Sequence, residues 1–260
     1  MISGLSNVNI ELTNRCNKSC WMCGRRKIEK DYPDLLQEGD MDFSLVELLA
    51  KEVPPRVVIQ FHNNGEPLLY PRLGDALSLF RDQVKCLDTN GKLLVKRISE
   101  IIDNLDTITI SVIEKDPEGD EQYEIVREFL SFKGDRKPIP IFRLLGDVPS
   151  ERWAELGLIA FRTLHDPLGS FEYKKKVVLP EIGICLEALH HLSINKDGLV
   201  SACVRFDPKG EGVIGDLNKE TFEEIWNGRK RALFLSNHLN GLRGMTPLCN
   251  RCEYWGVPTG

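Results

Sequence analysis

Three of the chain's eight cysteines fall within eight residues, CNKSCWMC at 16–23, spaced Cys-x3-Cys-x2-Cys. A zinc site takes four ligands, often as two Cys pairs. Three thiolates on one tight loop can instead hold three corners of a [4Fe–4S] cube, leaving the fourth iron open to a small molecule. Spacing alone allows both: an open cluster on Cys16, Cys20 and Cys23, or a zinc knob completed by a remote Cys or His. Trp21, beside the second cysteine, is placed to shield a cluster from water.

A second group runs Cys185, Cys203 and then Cys249-x2-Cys252. Four thiolates fill every corner of a cube, so this cluster would be closed; structural zinc suits four cysteines equally well. The last cysteine, Cys86, lies in VKCLDTN two positions from Val84 and on the same strand face. It reads as a small buried hydrophobe.

Other polar residues stand where chemistry is possible. Arg143 sits in an apolar strand, where an unpaired charge is costly, so a ligand or an acidic partner is expected. Arg162, His165 and Asp166 lie in FRTLHDPLGSF. They can deprotonate a substrate hydroxyl or clamp a polar group, and the same stretch also reads as an ordinary polar loop. His62 points either toward the site or into the core. His190 and His191 read as structural.

These residues need a scaffold, and the pattern around them supplies one. The chain has 260 residues, 42% hydrophobic, with a net charge of −5. That length is ample for a core without disulfide staples. No broad basic field favours nucleic acid; the runs at 24–27, 174–176 and 228–231 read as solvated faces. No apolar stretch approaches the ~20 residues that cross a bilayer, and the N-terminus lacks a signal-peptide pattern. The expected location is the cytoplasm, where clustered cysteines point to metal or redox chemistry.

Strands are expected at 7–13, 57–62, 84–90, 107–113, 138–145 and 158–164. Helices are expected at 43–53, 71–82, 93–105 and 121–132, with a shorter one near 150–156. This alternation implies βαβ units and a parallel sheet, either an incomplete barrel or an open sheet. After residue 165 the pattern changes to a hairpin over 190–204, turning at Asp197-Gly198, and a helix over 220–239 with Trp226 on its apolar face. A small appended module that leans on a metal is expected there.

Cys-x3-Cys-aromatic-x-Cys just after a first strand resembles the signature of the radical S-adenosylmethionine (SAM) family. NNGEP (63–67) resembles the family's Gly-Gly-Glu-Pro segment, which contacts the SAM amino group; Asn64 replaces the first Gly, while Gly65, Glu66 and Pro67 match. TNG (89–91), with Asn90, ends the third strand as it does there. Ser111, late in the fourth strand, matches a position used for the SAM ribose or carboxylate. The Arg that many relatives carry a dozen residues further on is missing from EKDPEGDEQYE (114–124), leaving Arg127 or Arg143 for the SAM carboxylate. The C-terminal cysteines resemble the family's auxiliary-cluster modules, SPASM in its long form and twitch in its four-cysteine form, and 212–226 resembles their connecting segment.

The resemblance implies an α/β fold: a partial (β/α)6 TIM-like barrel over 1–165 with an auxiliary-cluster module over 166–260. It implies two [4Fe–4S] clusters, SAM as cofactor and an electron donor such as flavodoxin or ferredoxin. SAM would be cleaved to methionine and a 5′-deoxyadenosyl radical that abstracts a substrate hydrogen, with the auxiliary cluster accepting an electron. The short barrel with one closed cluster resembles the alcohol-oxidising members and implies dehydrogenation of a small molecule, with Arg143, Arg162 and His165 as candidate catalytic residues. A peptide-modifying maturase acting on a short peptide is the alternative. A non-catalytic metal-binding module would leave NNGEP, TNG and Ser111 unexplained.

Overall fold

A computed structural model of the chain describes residues 2–162, 164, 184–204, 207–250 and 252. Nine described strands form one sheet in the order β6-β5-β4-β3-β2-β1-β7-β8-β9. The first half alternates strand and helix. β1 (Asn7–Ile10) is followed by α1 (Gly24–Asp31) and α2 (Phe43–Glu52), then β2 (Val58–Phe61), α3 (Leu73–Leu79), β3 (Val84–Thr89), α4 (Ile98–Ile101) and β4 (Thr107–Ile113). α5 (Gly119–Lys133), β5 (Ile139–Leu145), α6 (Glu151–Ala154) and β6 (Leu158–Arg162) complete it. All five pairings from β1 to β6 are parallel and sequential. β1 and β6 stand apart in the strand order, so this is the expected partial barrel, open on one side.

The strands alternate with period two. Val8, Ile10, Ile59, Phe61, Leu87, Ile108, Ile110, Phe142 and Leu144 are buried in one core with Leu49, Leu73, Leu77, Val126 and Phe129 of the helices. The positions between them carry Asn9, Gln60, Asp88, Thr109, Ser111 and Arg143. A polar inner face is therefore written into the same strands that bury an apolar outer face.

The remainder extends this sheet. α7 (Leu186–His190) leads into β7 (His191–Ile194), which pairs in parallel with β1. β8 (Leu199–Ser201) and β9 (Val213–Asp216) continue antiparallel. The β7–β8 hairpin turns at Gly198, whose φ of 82° suits glycine. α8 (Phe222–Asn227), α9 (Arg229–Leu239) and α10 (Pro247–Asn250) follow. Thr221 and Glu224 close α8 with a reciprocal capping box. The Phe222 amide donates to Glu52 of α2, and the Trp226 indole donates to the Ser3 carbonyl. Both bonds tie the C-terminal segment to the first half.

Two helices differ from expectation. Over 93–105 only Ile98–Ile101 is α-helical. Leu94, Ile98 and Glu100 each donate three residues back, to Gly91, Val95 and Arg97. The segment is a chain of tight turns that still buries Leu94, Ile101 and Leu105. The expected helix over 220–239 breaks at Gly228, whose backbone is extended and serves as N-cap of α9. A Cβ there would stand 2.6 Å from the Glu224 carbonyl, so the break requires glycine.

Candidate active site and auxiliary cluster site

The cysteine loop leaves the C-terminal end of β1 and finishes at Cys23, the N-cap of α1. Arg25 anchors it from inside: it is buried, bonds the Asn14 carbonyl and pairs with Glu29 and Glu38. Lys18 is buried against Asp116 in the loop after β4. Burial raises the pKa of Cys16, Cys20 and Cys23, Cys20 to about 12; Cys23 and Cys16 raise Cys20 further, and Cys16 raises Cys23. Such thiols ionise only against strong positive charge, as a metal centre provides.

The segment after β2 is fitted to the back of this loop. A Cβ on Gly65 would lie 2.1 Å from the Thr13 carbonyl and 2.7 Å from the Asn14 Cα; only glycine allows that approach. The Glu66 amide donates to the Arg15 carbonyl at 2.8 Å. The Glu66 side chain is 2% exposed. Its carboxylate accepts from the Leu68 amide at 3.1 Å, the Thr89 hydroxyl at 2.7 Å and the Asn90 amide at 2.7 Å. Burial outweighs these bonds and pushes its pKa up to about 7. Asn90 also donates to Asn17 at 2.8 Å. Gln122 of α5 donates to the carbonyls of Asn90 and Ser111. Cys16, Gly65, Glu66, Pro67, Asn90 and Ser111 are thus brought together at the ends of β1–β4, where such barrels place their sites.

Asn64 is explained by a residue that sequence reading missed. Its amide and side chain both donate to Glu11 at 3.0 Å, and the other Glu11 oxygen accepts from the Lys196 amide. Glu11 is buried with a raised pKa. The signal was an acidic residue in the β1 exit next to the substituted Gly, but the pairing spans 53 residues. Trp21 is 56% exposed, with its indole N–H on the Glu114 carbonyl. The ring is therefore not packed into the protein.

Below this rim lies the polar lumen. Arg143 pairs with Asp88 at 2.5 Å, the acidic partner that its apolar strand called for. Gln60 donates to the other Asp88 oxygen at 3.1 Å. Burial pushes the Asp88 pKa up, but His62, Arg143 and Gln60 together hold it below the usual range. His62 faces the lumen, with Nδ1 3.8 Å from Asp88. Enclosure by protein, with Arg143 and Arg162 nearby, lowers its pKa. Arg162 ends β6. His165, Asp166 and the basic run at 174–176 lie outside the described residues. Arg127 pairs with Glu124 on the exposed face of α5, away from this network. Cys86 is half-buried rather than buried, since it shares the lumen face and bonds Thr107. His191 bridges Asn9 of β1, at 2.8 Å, and Glu187 of α7, at 2.9 Å. It thereby links the lumen to the C-terminal segment.

In that segment Cys185, Cys203, Cys249 and Cys252 line one recess, closed by Ala188, Phe234 and Leu248. Burial and the other three cysteines raise the Cys249 pKa. Arg243 is fully buried beside them and donates to the Cys249 and Cys252 carbonyls. Among the described residues no three His, Cys, Asp or Glu side chains converge tightly enough for a single metal ion. Zinc draws its thiolates to about 2.3 Å from one centre. A cube binds each cysteine through a different iron and so spreads them. Three thiols on one loop and four around one recess match the donor sets of an open and a closed cube.

Comparison with known proteins agrees. Residues 185–253 match the SPASM iron–sulfur cluster-binding domain. The FeMo cofactor biosynthesis protein NifB of Methanocaldococcus jannaschii is 30% identical over 127 residues, 44% of this chain and 42% of NifB. The chain thus spans less than half of that relative. An S-adenosyl-L-methionine-dependent 2-deoxy-scyllo-inosamine dehydrogenase of Niallia circulans is 22% identical over 98% of this chain and 95% of its own. Two solved structures share the fold. BtrN in complex with AdoMet and 2-DOIA has a TM-score of 0.62 at 18% identity, covering 100% of this chain and 97% of its own. SuiB of Streptococcus suis, bound to precursor peptide SuiA, also scores 0.62, at 12% identity, covering 98% and 72%. No helix among the described residues is long and apolar enough to cross a membrane. Residues 185–253 thus form a SPASM iron–sulfur cluster-binding domain, joined to a partial barrel similar to that of S-adenosylmethionine-dependent relatives.

Proposed function

We propose that this chain is a radical SAM oxidoreductase that removes hydrogen from a small polar substrate, with a secondary alcohol as the group oxidised. The observation that carries the reading is the joining of the cysteine loop, Glu66 and Asn90 at the rim of a lumen lined by Asp88, Arg143 and His62. In this reading the barrel comprises 1–165 and the auxiliary module 166–260. Cys16, Cys20 and Cys23 hold the open cluster, and Cys185, Cys203, Cys249 and Cys252 the closed one. When bound, the open cluster and SAM supply the radical that takes a substrate hydrogen, and the closed cluster supplies an acceptor for the electron left behind.

The chain's own residues do the rest. Glu66 accepts from the SAM ammonium, a charge-assisted bond in a buried site. Asn90 and Ser111 orient the nucleoside, and Trp21 covers its outer side. Arg143, fixed by Asp88, and Arg162 bind substrate oxygens. His62, neutral and at the lumen surface, takes the hydroxyl proton. His165 remains a candidate for the same proton transfer from the sequence alone. A cytoplasmic electron donor such as flavodoxin or ferredoxin completes the cycle.

Similarity over nearly the full length of an enzyme that dehydrogenates a small cyclitol supports this substrate class. SuiB's bound precursor peptide makes a short peptide the second reading. The test is to incubate reduced, reconstituted protein with SAM and deuterated pools of amino-polyols or of short peptides. Deuterium entering 5′-deoxyadenosine from the polyol pool alone is the expected result; transfer from the peptide pool alone sinks the small-molecule reading.

A further inference from the structure

The recess of four cysteines contains a histidine that neither the ligand set nor the mechanism uses. His238 sits on α9, is 1% exposed and lines the same recess. Phe234, one turn earlier, stacks on its ring with centroids 4.9 Å apart and planes 26° apart. The stack holds the plane of the ring, and the Cys185 amide fixes which edge faces it. Its Nδ1 accepts from the Cys185 amide at 3.4 Å. A backbone N–H can only donate, so Nδ1 presents its lone pair and the proton of the neutral ring is on Nε2. That Nε2 is buried and has no hydrogen-bond partner among the described residues. An N–H taken from water and left without an acceptor is costly, so native proteins rarely keep one.

The missing acceptor must be something the recess holds. The other walls are the apolar Ala188, Phe234 and Leu248 and the polar Glu187, whose carboxylate pairs with His191 and makes no bond to His238 Nε2. Arg243 offers only donors. What remains is the electron-rich sulfur of a cluster. We propose that His238 donates its Nε2–H to a sulfur of the cluster held by Cys185, Cys203, Cys249 and Cys252. It acts as a positioning and tuning residue, not a ligand. The proposal rests on the cluster reading of this module. Hydrogen bonds to cluster sulfur are one of the levers that set the reduction potential. Reduction adds negative charge, so a donor aimed at the sulfur stabilises the reduced form and raises the potential. The buried Arg243 charge works in the same direction.

The experiment uses the full chain, anaerobically reconstituted and labelled with 15N-histidine. Reduced protein is examined by electron–nuclear double resonance, and the signal that SAM does not perturb is assigned to the auxiliary cluster. A weak 15N coupling with an exchangeable proton coupling is expected. A strong coupling, which means direct ligation, or no coupling overturns the proposal. In a redox titration, His238→Phe should keep about eight iron per chain. It should shift the auxiliary equilibrium about tenfold toward the oxidised form, which is about 59 mV downward for one electron. The SAM-responsive cluster should not move, and His238→Gln, which retains an N–H, should recover part of the shift. Eight iron with an unmoved potential overturns the proposal, as does a folded His238→Phe with only four iron. Wild-type protein with no second cluster overturns the cluster reading as well. The spectroscopic measurement needs no variant, so it stands even where His238→Phe fails to fold.

Discussion

Glu66 carries two demands that pull against each other. Burial raises its pKa to about 7 from the usual 4.5, so the SAM-free carboxyl holds its proton in mild acid and loses it through neutrality. The sign for stability follows from linkage. A carboxyl whose folded pKa lies above its unfolded value stabilises the fold below about pH 4.5, and that contribution is lost as pH rises through about 7. A cationic ligand reverses the preference, because the SAM ammonium favours the carboxylate. SAM affinity should therefore be several-fold weaker at pH 6 than at pH 7.5, following the ionised fraction of a group with pKa about 7. Equilibrium binding to reconstituted protein measures this, with Glu66→Gln as reference. Affinity that is flat across this range, or a Gln variant with the same slope, removes Glu66 from the ammonium.

Asp88 and Arg143 show how strands, rather than motifs, build the lumen. The pair joins β3 to β5 across β4, with Asp88 3% and Arg143 15% exposed at the side chain. Breaking one side of a buried pair leaves a charge without compensation, at a cost of roughly 3–5 kcal/mol. Asp88→Asn and Arg143→Met should each destabilise by about that amount. The double variant should lose far less than the sum, since no charge is then stranded. Denaturant melts of the four proteins form the cycle, and additive losses dispose of the pairing. The same elements show what sequence reveals. Strand positions were legible because period-two alternation marks both faces at once, and Arg143 announced its need for a partner. The partner was not legible, because Asp88 lies 55 residues away in VKCLDTN, where it reads as a strand-end polar residue. The helix expected at 93–105 failed for a related reason. Its apolar spacing reports burial of Leu94, Ile101 and Leu105, and tight turns bury those residues as well as a helix does. Cys16, Cys20 and Cys23 stood out because their spacing within one loop suggests the chemistry, and Glu66 only through the resemblance of NNGEP to a family segment. Glu11, His62 and His238 were not, since each acts through contacts that only folding creates.

At the scale of the molecule, the C-terminal segment extends the barrel's own sheet. β7 pairs with β1 over four residues, and Leu192, Ile194, Val200, Ile214 and Trp226 are buried in the same core as Val8 and Ile10. Sequence suggested a small module whose fold depends on its metal. The continuous core implies instead that apolar burial holds β7–β9 in place, while the cluster orders mainly the recess around Cys185, Cys203, Cys249 and Cys252. Cys252→Ala should therefore fold, with far-ultraviolet circular dichroism close to wild type and iron falling from about eight to about four per chain. Slow SAM cleavage without substrate should persist, because Cys16, Cys20 and Cys23 are untouched. Substrate oxidation should fall far more steeply, since the electron left on the substrate has lost its acceptor. The complementary variants, each of Cys16, Cys20 and Cys23 to Ala, should abolish SAM cleavage altogether. Removing the segment entirely is a different perturbation: residues 1–164 alone would expose the edge of β1, with its unpaired backbone and apolar outer face, and should self-associate. Soluble, monomeric 1–164 would mean that the β1–β7 pairing contributes little to the barrel. A Cys252→Ala protein that unfolds while 1–164 remains soluble would return the fold of the C-terminal segment to its metal. A folded Cys252→Ala protein with four iron and undiminished product would reduce the auxiliary cluster to a structural element, and the oxidation would need another electron acceptor.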